Sequence, residues 1–145
     1  MQIVLCIDDD VMGLALRKLL LETQGYTVLA ATGGLAGLEI ARRSNLDVVV
    51  LDFQMPIMNG EQVARILKHD RPSLPIILLT GHVESDIPGA LLSMIDSYLQ
   101  KGSGDLLASL QSVLNRRKLK RLPGSVSGQI SCRCTSTNKS LAEIQ

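Results

Sequence analysis

Short apolar runs alternate with longer segments of helical periodicity along the first 119 residues of the chain. The apolar runs are typical of strands and lie at QIVLCI (2–7), YTVLAA (26–31), LDVVVLD (46–52), PIILLT (75–80) and DSYLQ (96–100). After each run, apolar residues recur every three or four positions, which is typical of an amphipathic helix. Strands that alternate with helices form a parallel sheet that is covered by helices on both faces. The sequence therefore predicts an α/β fold, a doubly wound five-stranded parallel sheet with five helices.

The helix predictions rest on apolar periodicity and on residues that mark helix ends. The first helix is predicted over 10–24, with Gly25 at its C-terminal end. Its apolar face is formed by Met12, Leu16, Leu19, Leu20 and Thr23. We expect Thr32 to cap the second helix, which runs to about residue 43. The later helices are predicted after Asn59–Gly60, over 87–94 with a late start at Pro88, and over 104–119.

The last residues, 120–145, differ in composition from the rest of the chain. They are rich in Ser, Thr and Gly and basic, whereas the part of the chain before residue 116 is net acidic, although the whole chain carries only +1. Because so little apolar surface is available there, we expect a disordered tail and no output domain, and a chain cut after Leu122 should melt within a few degrees of the full one. The basic stretch 116–121 has no interleaved aromatic residues, so a nucleic-acid partner is not expected.

Cysteine usage and hydropathy indicate a cytoplasmic protein. Cys6 lies on a predicted buried strand, and Cys132 and Cys134 are two thiols without further ligands nearby, which is short of a zinc site. An odd number of cysteines does not make a disulfide framework. No apolar run is long enough for a membrane span, and acidic residues within the first ten positions argue against a secretory leader.

Chemically distinctive residues follow four of the five predicted strands. In chain order they are Asp8–Asp9–Asp10, Asp52, Thr80 and Lys101. In open parallel sheets, the carboxyl ends of the strands lie at one edge, where ligands bind. Each residue alone has a structural explanation, since Asp10 would serve as a helix cap and a strand-end threonine or lysine is ordinary. Together they place carboxylates, a hydroxyl and an ammonium at one edge of the sheet.

Clustered carboxylates repel one another unless a cation neutralises them, and hard oxygen ligands select Mg²⁺. A carboxylate is also a nucleophile toward phosphorus and then forms an aspartyl phosphate. The ammonium and the hydroxyl would stabilise the phosphoryl oxygens. The sequence thus favours Mg²⁺-dependent phosphoryl chemistry at this edge.

The sequence resembles a receiver domain of the two-component response regulators over about residues 1–118. The resemblance rests on Asp8–Asp9, Asp52, Met55–Pro56, Gly60, Thr80, Tyr98 and Lys101, in this order. It implies a flavodoxin-like strand order of 2-1-3-4-5 and a receiver domain over 1–119. It further implies that the protein is a phosphorylation-controlled switch and not a turnover enzyme, since its only chemistry is taking up and losing its own phosphoryl group.

The resemblance also assigns the metal ligands and the phosphoacceptor. Asp52 would accept the phosphoryl group from a histidine kinase or a phosphotransfer protein. Asp9, Asp52 and the backbone carbonyl of Gln54 would bind Mg²⁺, with Asp8 acting through water.

Three further residues would respond to the phosphoryl group. Thr80 and Lys101 would bond its oxygens, and Tyr98 would change rotamer together with Thr80. The surface formed by helix 4, strand 5 and helix 5 would then bind a downstream protein, whose identity the sequence does not give, or a second copy of the chain as a homodimer.

The chain departs from the family pattern at Gly102, where family members usually carry a proline after the lysine. Because a cis peptide bond is strongly disfavoured without proline, we expect a trans bond and a looser Lys101.

Two alternative functions remain open from the sequence. A receiver-like interaction module that is never phosphorylated would have the same fold. A phosphatase of the haloacid dehalogenase type would also use a strand-end aspartate and Mg²⁺, but it needs a second aspartate where this chain has Gln54.

Overall fold

The structure is a computed structural model that describes residues 1–81, 84–102 and 105–120. Its strands are β1 Ile3–Ile7, β2 Thr27–Ala31, β3 Val48–Leu51, β4 Ile76–Thr80 and β5 Ser97–Gln100. Its helices are α1 Val11–Thr23, α2 Gly34–Arg43, α3 Gly60–Asp70, α4 Gly89–Leu92 and α5 Leu106–Lys120, with a 3-10 turn at Glu84–Asp86. Residues 1–113 form one unit, which contains all five strands, and residues 114–120 belong to a second.

The five strands form one parallel sheet in the order β2-β1-β3-β4-β5. The predicted fold class and strand order are therefore confirmed. In this arrangement β1 and β3 are neighbours, with Ile7 opposite Leu51, and β4 lies between β3 and β5. The residues that follow β1 and β3 consequently emerge side by side at the carboxyl edge of the sheet.

The central strands are apolar on both faces because helices cover both. Leu5, Val49 and Ile76 belong to a large core cluster that includes Leu38 of α2 and Val63 of α3. The alternate strand residues point the other way and are equally buried, namely Val4, Cys6, Val48, Val50 and Ile77. Continuous apolar runs such as VVVL are what a strand needs when neither face meets water.

Helix α1 does not use its apolar stripe to contact the sheet. Leu14 and Leu21 are buried, whereas Met12, Leu16 and Leu19 are each more than 60% exposed. The helix lies against β1 and β2 through its two buried leucines. An unusual set of large apolar side chains is thus left on the outer face of α1.

The helix ends match the predictions in part. Asn59 caps α3 through a capping box, in which its Oδ1 accepts from the Gln62 amide and the Gln62 Oε1 accepts from the Asn59 amide, both at 3.0 Å. The predicted cap of α2 by Thr32 is wrong. Gly33 holds the N-cap position in an extended conformation, so the helix begins one residue too late for the Thr32 hydroxyl.

The fourth helix is shorter than predicted. It spans Gly89–Leu92, and Pro88, which cannot donate a backbone hydrogen bond, occupies its N-cap position. The late start of this helix also predicts a longer, mobile loop over 82–86; residues 82 and 83 lie outside the described residues, and 84–86 form the 3-10 turn. The predicted disordered tail, with Cys132 and Cys134, also lies outside the described residues from 121 onward. Among the described helices, none has the length and hydropathy that a bilayer crossing requires.

Candidate functional site

Three carboxylates converge at the carboxyl ends of β1 and β3. One oxygen each from Asp8, Asp9 and Asp52 lies within 4.8 Å of the others. Asp8 and Asp52 are buried, whereas Asp9 is exposed. The convergence follows from the topology, because β1 and β3 are hydrogen-bonded neighbours and each strand leads directly into its aspartates. Three hard oxygen donors of this kind fit Mg²⁺, which keeps several waters and takes few protein ligands.

Asp8 is the most heavily bonded of the three carboxylates. Its Oδ1 accepts from the Asp10 amide at 2.9 Å, and its Oδ2 accepts from Lys101 Nζ at 2.9 Å and from Arg17 Nη2 at 3.3 Å. Burial alone would raise the pKa of Asp8. The hydrogen bonds from Asp10 and Lys101, together with the charges of Lys101 and Arg17, outweigh it and lower the pKa. Asp8 is therefore held as a carboxylate.

Asp52 has the opposite electrostatic environment. Burial, followed by the negative charge of Asp8, raises the pKa of Asp52 to about 6. Its nearest cation is Lys101, whose Nζ lies 3.5 Å from Asp52 Oδ1. The carboxylate at the tip of β3 is thus under-neutralised, and an added cation would stabilise its charged form.

Lys101 joins the ends of three strands. Its backbone amide donates to the Thr80 carbonyl at 2.6 Å, and its ammonium reaches Asp8 and Asp52. Although burial acts to lower the pKa of Lys101, its hydrogen bond to Asp8 and the charges of both aspartates raise it. The next residue, Gly102, has φ of +84°, which a proline, fixed near −65°, cannot adopt. The loop after Lys101 therefore requires a residue such as glycine, and the lysine is anchored despite the missing proline.

The loop that follows β3 is held close to Asp52. Gly60 donates its amide to the Phe53 carbonyl at 2.7 Å, and a Cβ at this position would lie 2.5 Å from the Asp52 carbonyl oxygen. Only glycine permits this approach of backbone to backbone. Gln54 lies in this loop two residues after Asp52, and its carbonyl as a metal ligand stays a prediction.

The same loop contains a strained turn. Ile57 has φ of +70°, and the Met58 amide donates to the Pro56 carbonyl at 2.7 Å across it. A β-branched residue in this region of backbone space is uncommon and costly.

Thr80 and Tyr98 lie on the neighbouring strands β4 and β5. Thr80 is fully buried at the end of β4, opposite Gln100, and Tyr98 is half-buried opposite Leu78. Tyr98 packs against the large core cluster that the helices α2, α3 and α4 share with the sheet. Thr80 thus ends the strand next to β3, whose tip bears Asp52, and Tyr98 lies on the following strand of the sheet. Their response to phosphorylation stays a prediction.

The sequence analysis did not identify Arg17 as a site residue. Its side chain is only 12% exposed and ends at Asp8. The sequence carries no signal for it, because Arg17 meets Asp8 only when α1 packs against β1. The neighbouring Gly13 is explained by Asp10, since a Cβ there would lie 2.7 Å from Asp10 Oδ2 and 3.8 Å from Arg17 Nη2.

A groove of about 400 Å³ adjoins the acidic site. Its polar lining residues are Asp10, Arg17 and Lys101. The rest is apolar, with Leu16 and Leu20 from α1, Leu79 from β4 and Leu106 from α5. The groove thus joins Leu16 and Leu20 of α1 to Arg17 and Lys101, the two cations that bond Asp8.

Comparisons with known proteins agree with this geometry. Residues 4–111 match the sequence profile of the response regulator receiver domain. The sensor protein GacS of Pseudomonas syringae pv. syringae is 38% identical over 104 residues, which are 68% of this chain and 12% of that protein. The probable transcriptional regulatory protein SilR of Salmonella typhimurium is 35% identical over 118 residues, which are 78% of this chain and 51% of that protein. The chain thus spans an eighth to a half of these two relatives.

Solved structures show the same fold. A response regulator receiver domain protein from Clostridium thermocellum is 35% identical with a TM-score of 0.75, over 83% of this chain and 99% of that one. The response regulator TrrA from Thermotoga maritima, in complex with Mg²⁺ and BeF, is 30% identical with a TM-score of 0.70, over 79% of this chain and 99% of that one.

Proposed function

This chain belongs to the family of response regulator receiver domains, and from this premise we propose that it is a phosphorylation-controlled signalling switch whose acceptor is Asp52. The observation that carries the proposal is the environment of this carboxylate. It is buried at the tip of β3, 3.5 Å from the Lys101 ammonium and within ligand distance of Asp8 and Asp9. A carboxylate in such a place has a cation close to it and two further carboxylates with which it could hold a metal ion.

In the proposed reaction, an oxygen of Asp52 attacks the phosphorus of a phosphohistidine. The new bond is between phosphorus and the Asp52 oxygen, the bond between phosphorus and the imidazole nitrogen breaks, and the imidazole takes up a proton. Water later attacks the phosphorus, which releases inorganic phosphate and restores the carboxylate. The protein undergoes both steps itself and acts on no other substrate pool, so it is not an enzyme in the usual sense.

Magnesium is the proposed cofactor. Asp9, Asp52 and the Gln54 carbonyl would hold the ion, with Asp8 acting through water. When bound, it would supply positive charge against the oxygens of the transferring group. The raised pKa of Asp52 supports this role, because a site that disfavours a carboxylate gains from an added cation.

Lys101 and Thr80 are proposed to bond the phosphoryl oxygens. Lys101 Nζ is already close to Asp52, and the Thr80 side chain is buried at the end of the neighbouring strand β4. Charge-assisted hydrogen bonds of this kind are worth about 1.5–3 kcal/mol each.

The output would run from Thr80 to Tyr98 and on to the surface formed by α4, β5 and the first turns of α5. Thr80 would move toward the phosphoryl oxygen, and Tyr98 would turn inward behind it. The short α4 and the Pro88 that precedes it favour remodelling there, because few helical hydrogen bonds have to be broken. A downstream protein or a second copy of the chain would bind this surface.

The proposed phosphodonor is a histidine kinase or a histidine phosphotransfer protein in the cytoplasm. We propose that it binds the outer face of α1. This face exposes Met12, Leu16 and Leu19 and is continuous with the groove that leads to Lys101. A helix of the donor would bury these side chains and bring its phosphohistidine to the acidic site.

The interaction module that is never phosphorylated remains the second candidate. It predicts no covalent labelling under any condition. The phosphatase of the haloacid dehalogenase type is not favoured, because Gln54, which has no ionisable side chain, occupies the position of its second aspartate.

The proposal is tested by labelling with radioactive acetyl phosphate in the presence and absence of Mg²⁺. Wild type should become labelled only with Mg²⁺, Asp52→Asn should not become labelled, and Asp9→Ala should become labelled slowly. Asp70→Asn is the matched control, since it removes an exposed carboxylate at the far end of α3. Labelling of Asp52→Asn at the wild-type level would overturn the assignment. If wild type is not labelled, the interaction module is favoured.

A further inference from the structure

Two cations share one oxygen in the acidic site. Lys101 Nζ and Arg17 Nη2 both donate to Asp8 Oδ2, at 2.9 and 3.3 Å. We infer that Arg17 is a positioning residue for phosphoryl transfer, which keeps Asp8 bonded when Lys101 turns to the phosphoryl group. The inference rests on the proposed function, because it concerns the same site.

Asp8 needs a second hydrogen-bond donor because its side chain is buried. This side chain is only 1% exposed, so its Oδ2 has little access to water. If Lys101 alone held it, transfer of the ammonium to a phosphoryl oxygen would leave a buried carboxylate oxygen without a donor, which is costly. With Arg17 in place, Oδ2 keeps a charged donor. Lys101 can then exchange partners at a smaller cost.

The sequence of α1 provides a path for the Arg17 side chain. Helical side chains point toward the N-terminus of their helix, so Arg17 extends back over the preceding turn, where residue 13 lies. That residue is glycine, and a Cβ there would lie 3.8 Å from Arg17 Nη2, which is an ordinary contact, but 2.7 Å from Asp10 Oδ2, which is a clash. The space at Gly13 is therefore limited by Asp10, and the role inferred for Arg17 rests on its hydrogen bond to the buried Asp8.

The charge of Arg17 has opposite consequences for the two ligands of the site. It repels a divalent cation bound to the carboxylates, and its hold on Asp8 competes with the metal. It favours an anionic phosphoryl group, both directly and by freeing Lys101. Removal of the guanidinium should therefore strengthen binding of Mg²⁺ alone and weaken binding of a phosphoryl mimic. A purely structural role would change both affinities in the same direction or neither.

The experiment measures two affinities by NMR titration of wild type, Arg17→Met and the control Lys18→Met. The first titration uses Mg²⁺ alone, and the second uses beryllofluoride at saturating Mg²⁺. Lys18 is the matched control because it is the next residue of α1 and its ammonium pairs with Glu22 on the exposed side. For Arg17→Met, we expect Mg²⁺ to bind about fivefold more tightly and beryllofluoride about fivefold more weakly. For Lys18→Met, both values should stay within about twofold of wild type.

A second variant keeps the test decisive if Arg17→Met does not fold. Arg17→Gln removes the charge but keeps a polar side chain, and it should strengthen binding of Mg²⁺ and weaken binding of beryllofluoride, as Arg17→Met does. Any other pattern, including a change in only one affinity, overturns the inference. Failure of the proposed function is distinguishable, because wild type itself would then show no response to beryllofluoride.

Discussion

At the scale of single residues, Asp52 stands out because its charge is disfavoured in the metal-free protein. Burial and the neighbouring Asp8 raise its pKa from 3.8 to about 6. Between these two values the folded chain binds a proton more readily than the unfolded chain does, so stability falls as the pH rises through this window. Above about pH 6, the ionised side chain destabilises the fold.

Asp52→Asn should therefore stabilise the metal-free protein at pH 7.5, by up to about 3 kcal/mol. The gain should shrink as the pH falls from 6 toward 4, and saturating Mg²⁺ should reduce it at pH 7.5. The measurement is urea unfolding followed by circular dichroism in EDTA. Equal stability of the two proteins at pH 7.5 would contradict the electrostatic account of the site.

Ile57 gives a second test at the residue scale. Its side chain is 94% exposed and its φ is +70°, so it has little packing to lose and a backbone conformation that glycine adopts more easily. Ile57→Gly should stabilise the protein by about 0.5–1 kcal/mol, whereas the control Ile57→Ala, which keeps a Cβ, should not. The measurement is thermal unfolding of wild type, Ile57→Gly and Ile57→Ala. No advantage of glycine over alanine would mean that the turn is not strained.

At the scale of elements, the two faces of α1 differ in role. The buried face contributes to stability, and the exposed stripe is the proposed binding surface. Leu21 is fully buried, so Leu21→Ala should cost about 2–5 kcal/mol of unfolding free energy. Leu19→Gln, on the exposed stripe, should change it by less than about 0.5 kcal/mol. Urea unfolding of the two variants tests this orientation of the helix. A large loss of stability in Leu19→Gln would show that the stripe is packed.

The same variant tests the proposed docking of the phosphodonor. Leu19→Gln should slow transfer from a histidine phosphotransfer protein that labels wild type, since an apolar contact is lost. Its labelling by acetyl phosphate should not change, because a small donor makes no contact with α1. Equal transfer rates from the phosphotransfer protein would place the docking surface elsewhere.

These elements also show what the sequence reveals and what it conceals. The strands were predictable because burial on both faces leaves an unbroken apolar run such as VVVL in β3. The orientation of α1 was not, because periodicity identifies an apolar stripe but not whether the protein or a partner covers it. The carboxylates were predictable from strand ends, whereas Arg17 became a site residue only through a contact that folding creates. The cap of α2 could not be predicted, because a shift of one residue in the start of the helix moves the cap from Thr32 to Gly33.

At the scale of the whole molecule, a switch requires two arrangements of the fold that phosphorylation weighs differently. Reversal of a population from 1:99 to 99:1 needs roughly 5.5 kcal/mol. The proposed bonds from Lys101 and Thr80 to the phosphoryl oxygens, each worth about 1.5–3 kcal/mol, would approach this value. On the proposed function, phosphorylation at one edge of the sheet would thus come close to the free energy needed to change a distant surface.

Thr80→Ala should uncouple the two ends of this switch. It should still bind beryllofluoride, but the changes in amide exchange that we expect for wild type over 84–102 and 105–113 should be much reduced. Hydrogen exchange with and without beryllofluoride measures this. If wild type itself changes only around Asp9 and Asp52, the proposed path through Thr80 and Tyr98 is wrong.

The location of the phosphoryl group is the most direct test of the central claim. The full chain is incubated with acetyl phosphate and Mg²⁺ and analysed by intact and peptide mass spectrometry. We predict one phosphoryl group per chain, on Asp52, and none when EDTA replaces Mg²⁺. A phosphoryl group on any other residue, or an unmodified chain with Mg²⁺ present, would contradict the account.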